Sequence, residues 1–222
     1  MHGYETSGVH GALQFLEQQA ERYLGRLNLI VAPCVSPWGY ERIQRWNPDA
    51  IDPNRSFRDG GQSRGSRRAD ALGGPSASRT VLVHLDLHET TDSDLHEFDP
   101  ARCARDGKPF ERDTIPDGFY VIGNSEDPQA EFQKALITAV APVTHIAPAD
   151  AEGRPGRPAA AVAGVVWGES RSIGACAGFT DARFATDTPR STRTARRTNP
   201  QECNDAQVAA VCAGLDFALA TQ

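Results

Sequence analysis

The chain has 222 residues, of which 39% are hydrophobic, and a formal net charge of −6. This length predicts a single domain over residues 1–222, and the acidic balance argues against a nucleic-acid partner. No apolar run reaches the roughly 18 residues of a membrane span, so we also expect no membrane partner. Five scattered cysteines without a Cys-x-x-Cys pair, and no signal segment at the start, favour a cytoplasmic location.

The first elements of the chain read as a helix, a strand and a loop. Apolar residues at helical spacing predict an amphipathic helix that packs on a sheet. Residues 29–32 read as a buried strand, and the Pro-rich residues 33–53 as a loop that carries binding groups. The helix face consists of Val9, Leu13, Leu16, Ala20, Tyr23, Leu24 and Leu27.

The remaining elements continue an alternation of strands and helices. Residues 81–87, 119–122 and 162–167 read as strands, and residues 127–140 as a helix. A last helix is marked by three signals at its start and by an apolar face. This alternation predicts an α/β fold with a doubly wound or mixed sheet. The signals are Asn199 as the cap, Pro200 in the first turn and Glu202 in a capping box, and the face is Val208, Cys212, Leu215 and Leu219.

Two short motifs supply the donor atoms of a metal site. His2 and Glu5 are three residues apart just before the first helix, and His88 follows the strand at 81–87. Catalytic zinc takes three protein ligands of nitrogen and oxygen type and keeps a fourth position for water. We therefore interpret His2, Glu5 and His88 as the ligands of one Zn²⁺ per chain, although a His-x-x-Glu pair alone also occurs by chance.

In their order along the chain, these motifs resemble the zinc carboxypeptidases of the carboxypeptidase A type. The resemblance implies that Asn54 and Arg55 bind the free carboxylate of the substrate, a task suited to the planar fork of arginine. It implies that Asp52 holds the first ligand histidine in its tautomer. For the arginine that stabilises the oxyanion, Arg45 is the first candidate and Arg42 the second.

The resemblance implies a mixed, mostly parallel, doubly wound sheet flanked by helices, with the first strands missing at the N-terminus. It implies a metallocarboxypeptidase that removes C-terminal residues by zinc-activated water. The substrate would be a peptide or an acyl-amino acid with a free carboxylate. Two alternatives stay open: a zinc-binding homologue with impaired catalysis, and an amide deacylase of the aspartoacylase and succinylglutamate desuccinylase type.

Two stretches depart from this family. Where its members carry the glutamate that acts as general base, residues 187–198 contain none, so we identify no general base. Family members carry a peptide of the type Thr-Glu-Val-Tyr-Thr-Asp-Ser-Pro at this place. Codons for that peptide, read one base out of frame, translate to residues 189–195, so we hypothesise a local frameshift there. Residues 58–80, rich in Gly, Ser and Arg, are interpreted either as a flexible insert or as a second aberrant stretch.

Overall fold

A computed structural model describes residues 1–57, 81–110, 115–148, 163–168, 175–178, 182–191 and 198–222. The insert predicted at 58–80, and residues 192–197 of the altered segment, lie outside the described residues. None of the helices in these ranges combines the length and hydropathy needed to cross a bilayer. The helices are α1 (Thr6–Gln18), α2 (Pro37–Arg42), α3 (Asp99–Arg105), α4 (Ala130–Val140) and α5 (Pro200–Ala220), and the strands are β1 (Val83–Thr90), β2 (Val121–Asn124), β3 (Val165–Gly168) and β4 (Phe184–Ser191).

The four strands form one open sheet in the order β1-β4-β2-β3. β1 pairs with β4 in parallel over eight residues, and β2 pairs with β3 in parallel. The two halves meet through an antiparallel pair, Ile122 with Asp187. The sheet is therefore mixed and mostly parallel and is flanked by helices, which confirms the predicted fold class.

A hydrophobic core lies between the sheet and the helices α4 and α5. Phe132 of α4 stacks on Phe184 of β4, with ring centroids 5.2 Å apart, and Phe217 of α5 meets both rings edge-on. A second cluster joins α1 to α5 through Phe15 and Tyr23. Each buried aromatic ring of this kind removes roughly 150–250 Å² of surface from water.

The predicted first helix exists, but its apolar face differs from the prediction. Leu13, Leu16 and Leu24 are 42%, 41% and 64% exposed, and α1 ends at Gln18. The buried side is formed instead by small residues and one ring, Ala12 and Phe15 among them. The prediction is confirmed for Val9, Ala20 and Tyr23, which are buried, and it was wrong for the three leucines. Small residues form the side of α1 that faces β1, because the two elements approach closely: a Cβ atom at Gly8 would lie 2.5 Å from the Leu87 carbonyl oxygen.

The strand predicted at residues 29–32 is not formed. Ile30 is 54% exposed, and the segment is irregular. Leu29 nevertheless packs against the cluster of Phe15 and Tyr23. Its apolar character therefore reflects packing on the helices, and a short apolar run cannot by itself distinguish these two environments.

The last helix begins as predicted. The Asn199 side chain accepts a hydrogen bond of 3.0 Å from the Glu202 amide, and Pro200 lies in the first turn. Glu202 accepts hydrogen bonds from the side chains of Asn199 and Thr198. The bond from the Glu202 amide satisfies one of the backbone groups that have no partner within the helix, and the two side-chain bonds hold the capping residues in place.

The strand β4 is present although the sequence did not predict it. Its residues are threonine, aspartate, proline and arginine rather than an apolar alternation, and Pro189 lacks the amide that a central strand donates. Hydrogen bonds to neighbouring segments of the chain compensate for the missing apolar pattern and the missing Pro189 amide. The Pro189 carbonyl accepts a hydrogen bond from the Tyr120 amide, and the Thr186 hydroxyl donates to the Ile122 carbonyl.

Gln207 of α5 bridges the edge strand β1 and its neighbour β4. It is fully buried, its amide nitrogen donates to the carbonyls of His88 and Thr188, and its oxygen accepts from the Thr188 hydroxyl. The helix therefore links β1 to β4 at His88 and Thr188.

Replacing Gln207 with leucine removes these three hydrogen bonds and leaves buried carbonyl groups without them. We expect the free energy of unfolding to fall by roughly 1–3 kcal/mol, measured by urea denaturation. Gln201→Leu, on the exposed side of the same helix, should change it by less than about 0.5 kcal/mol. Equal losses in the two variants would contradict this role for Gln207.

Candidate metal centre

A row of polar side chains lies on one face of β1. Successive residues of a strand point to opposite faces, so His84, Asp86 and His88 share the face opposite to Leu85. Leu85 packs on the core beneath α5. Asp86 and His88 are both buried, and β1 extends to Thr90, so that His88 lies inside the strand and not after it.

The start of α1 is tied to the end of β1 by Glu89. The Ser7 amide donates a hydrogen bond of 2.9 Å to Glu89 Oε2, and the Thr6 hydroxyl lies 3.3 Å from the same oxygen. A carboxylate at a helix N-terminus satisfies unpaired amides and interacts favourably with the helix dipole. This contact fixes Glu5, the residue that precedes α1, relative to His88.

The three predicted ligand side chains come together in the structure. His2 Nδ1 lies 2.8 Å and His88 Nδ1 lies 2.9 Å from the same atom, Oε1 of Glu5. The three possible ligand atoms lie within 4.8 Å of one another, and all three residues are buried. Two histidines and one carboxylate are a donor set that suits zinc.

Each imidazole is held by a carboxylate at its other nitrogen. His2 Nε2 lies 2.9 Å from Asp52 Oδ1, and His88 Nε2 lies 2.7 Å from Asp86 Oδ2. An ionised carboxylate only accepts, so the contact with Asp52 places a proton on Nε2 of His2, and the shorter contact with Asp86 favours the same tautomer in His88. Each Nδ1 faces Glu5 Oε1 across a distance at which two lone pairs repel unless a proton or a metal ion lies between them. The residues therefore fit a metal ion.

The charges in this cluster depend on one another. Burial by itself raises the pKa of the Glu5 carboxyl, but His2 and His88 outweigh it and hold that pKa well below its usual range. Burial likewise lowers the pKa of His88, and the carboxylates of Asp86 and Glu5 outweigh it and raise that pKa well above its usual value. The pocket thus stabilises positive charge next to Glu5.

Asn54 and Arg55 lie in a short 3₁₀ turn, Pro53–Arg55, beside the cluster. Asn54 is buried: its oxygen accepts from the Cys176 amide at 2.8 Å, and its nitrogen lies 2.9 Å from His88 Nε2. Arg55 donates to the Asn54 carbonyl and is partly exposed. The predicted carboxylate-binding pair is therefore adjacent to the ligands, and Arg55 is the more accessible of the two.

Arg45 contacts acidic side chains and not the ligands themselves. Its Nε donates to Asp52 Oδ2 at 3.0 Å, and its Nη1 donates to Asp94 Oδ1 at 2.8 Å and to the Tyr4 hydroxyl at 2.7 Å. Burial raises the pKa of the Asp52 carboxyl, and His2 and Arg45 outweigh it and hold that pKa below its usual range. In this conformation Arg45 supports Asp52, while Arg42 is exposed at the end of α2.

Several site residues were not predicted from the sequence. Asp86 and Glu89 support the ligands, and Asp187 of β4 stands opposite Asp86 in the strand register. Burial and the Asp86 carboxylate raise the pKa of Asp187 to about 7. For Asp86 the alternation of histidine and aspartate along β1 was an available signal, whereas the position of Asp187 depends on the pairing of β4 with β1.

No family model matches this chain, and no curated protein sequence matches it. Solved structures do match. A predicted metallopeptidase from Shewanella amazonensis is 21% identical, with a TM-score of 0.59 over 97% of this chain and 73% of that one. A metallo-carboxypeptidase from Burkholderia cenocepacia is 13% identical, with a TM-score of 0.57 over 97% of this chain and 55% of that one. Murine aminoacylase 3 is 18% identical, with a TM-score of 0.51 over 98% of this chain and 61% of that one. These similarities show a carboxypeptidase-like fold.

Truncation of Glu89 to alanine leaves the buried Ser7 amide without its acceptor. We expect the free energy of unfolding to fall by roughly 1–3 kcal/mol, measured by urea denaturation. Glu17→Ala, at an exposed position of α1, is the matched control and should have an effect below about 0.5 kcal/mol. A Glu89→Ala protein as stable as the wild type would show that this contact does not hold α1 on β1.

Proposed function

We propose that this chain is a zinc-dependent metallohydrolase of carboxypeptidase type, acting on peptides or acyl-amino acids with a free carboxylate. The convergence of His2, Glu5 and His88 on one point carries this proposal. The fold shared with a metallo-carboxypeptidase from Burkholderia cenocepacia supports it. Carboxylate binding is assigned to Arg55, with Asn54 beside it.

When bound, zinc supplies a water molecule of lowered pKa and a positive charge next to the reacting carbonyl. His2 Nδ1, Glu5 Oε1 and His88 Nδ1 would hold the ion, and Asp52 and Asp86 keep both rings in the orientation that presents Nδ1. Arg55 orients the substrate through its carboxylate. Arg45 would stabilise the oxyanion only if it turned away from Asp94, so in the conformation described here its contribution is to position Asp52.

A zinc-binding homologue with impaired catalysis is the second candidate, and one observation favours it. β4 crosses the centre of the sheet next to the cluster without a glutamate. Loss of a general base typically lowers the rate by a factor of about 10²–10⁴. Weak hydrolysis would therefore accompany intact zinc binding.

An amide deacylase is the third candidate, favoured by the fold shared with murine aminoacylase 3. Hippuryl peptides and N-acetyl amino acids, tested as two parallel substrate panels, distinguish this activity from that of a carboxypeptidase. Preference for the peptides supports the main proposal, and preference for the N-acetyl amino acids supports the deacylase.

His2 supplies one of the three proposed zinc ligand atoms, and its other ring nitrogen contacts Asp52. We expect His2→Ala to lose one equivalent of zinc per chain relative to the wild type, because one of three ligands is removed. The measurement is elemental analysis after dialysis. His96→Ala, an exposed histidine of the turn that follows β1, should retain the wild-type content. Unchanged zinc in His2→Ala would reject the proposed ligand set.

Arg55→Gln should weaken binding of an N-acetyl amino acid roughly 10–100-fold, since a charge-assisted hydrogen bond contributes about 1.5–3 kcal/mol. Titration calorimetry measures this without turnover. The matching amino-acid amide, which lacks the carboxylate, should bind wild type and variant equally. Arg26→Gln, at an exposed position away from the cluster, is the control, and equal affinity of Arg55→Gln and wild type for the acid would remove this role from Arg55.

A further inference from the structure

A second group of ligand-type side chains lies on the other side of the His88 ring. Asp86, His88 and Asp187 are all buried, and their possible ligand atoms lie within 4.8 Å of one another. Asp86 Oδ2 is 2.7 Å from His88 Nε2. This group uses the ring nitrogen that points away from Glu5, so the two groups share one imidazole and no other residue.

Asp187 is the residue that distinguishes this group from a simple support for His88. It is 4% exposed, and among the described residues its Oδ1 accepts no hydrogen bond although it is shielded from solvent. Burying an acceptor without a partner costs on the order of 1–3 kcal/mol. Such an atom in a native fold calls for a partner beyond the described residues, and a bound cation is one that suits a carboxylate.

The strand pairing explains why Asp187 is directed into this group. Asp86 and Asp187 are register partners on the adjacent parallel strands β1 and β4. Thr188, the next residue along, faces α5 through its bond to Gln207. Since side chains alternate along a strand, Asp187 faces the same side as Asp86 and His88.

We propose that Asp86, His88 and Asp187 form a second site for a divalent cation, next to the zinc site of His2, Glu5 and His88. When both carboxyls are ionised, Asp86 and Asp187 place two negative charges in a buried pocket, and one divalent cation balances them. Two carboxylate oxygens and one imidazole nitrogen suit Zn²⁺ or Mn²⁺. The proposal rests on the proposed function only in that both sites use His88.

With both sites filled, His88 would offer one ring nitrogen to each ion. The Nε2 proton, which Asp86 otherwise accepts in a hydrogen bond, would then leave to solvent.

The test is zinc stoichiometry by titration calorimetry and elemental analysis on four folded proteins. We expect two zinc ions per wild-type chain, one in Asp187→Asn, one in His2→Ala and none in the double variant. Asparagine matches aspartate in size, and Asp187→Ala serves as a second variant should Asp187→Asn fail to fold. Asp49→Asn, at an exposed position before Asp52, is the control and should bind two.

The outcomes separate the two proposals. One zinc in the wild type, retained in Asp187→Asn and lost in His2→Ala, overturns the second site and leaves the proposed function standing. One zinc lost in Asp187→Asn and retained in His2→Ala supports the site of Asp187 and overturns the zinc ligands of the proposed function. Equal stoichiometry in wild type and both single variants overturns both.

Discussion

The requirement that buried negative charge be paired organises this structure. Glu5, Asp52 and Asp86 are carboxylates removed from solvent, and each has an imidazole within 2.9 Å. An unpaired buried charge would destabilise the fold by several kcal/mol. The edge strand β1, the start of α1 and the turn at Pro53–Arg55 therefore meet around His2 and His88, and the Arg45 guanidinium adds a positive charge beside Asp52.

Much of the fold could be predicted because its signals are local. The cap at Asn199, the apolar spacing of α5 and the hydrophobic run of β1 each depend on neighbours in the sequence. β4 escaped prediction because Thr186, Asp187 and Thr188 are buried by strands distant in sequence. The strand predicted at residues 29–32 was wrong for the opposite reason, because an apolar run is compatible both with packing on a helix and with pairing in a sheet.

The candidate site shows the same division. His2, Glu5 and His88 could be proposed from ligand chemistry and from a family resemblance, and the structure brings them together. Asp86 could have been found from its spacing to His88 alone. Asp187 and Glu89 could not, because their roles exist only once β4 lies beside β1 and α1 lies on its end. Arg45 illustrates a further limit: its sequence position does not reveal that Asp52 and Asp94 bind it.

The hydrogen bonds from α5 to β1 and β4 also determine which side chain of β4 faces His88. A slip of one residue between β4 and β1 would turn every side chain of β4 to the opposite face. Thr188 would then enter the pocket in place of Asp187, and a carboxylate would be forced against the aromatic core of Phe132 and Phe217. The bond from Thr188 to Gln207 opposes that slip, so a helix that touches none of the ligand atoms decides whether an acid or a hydroxyl faces His88.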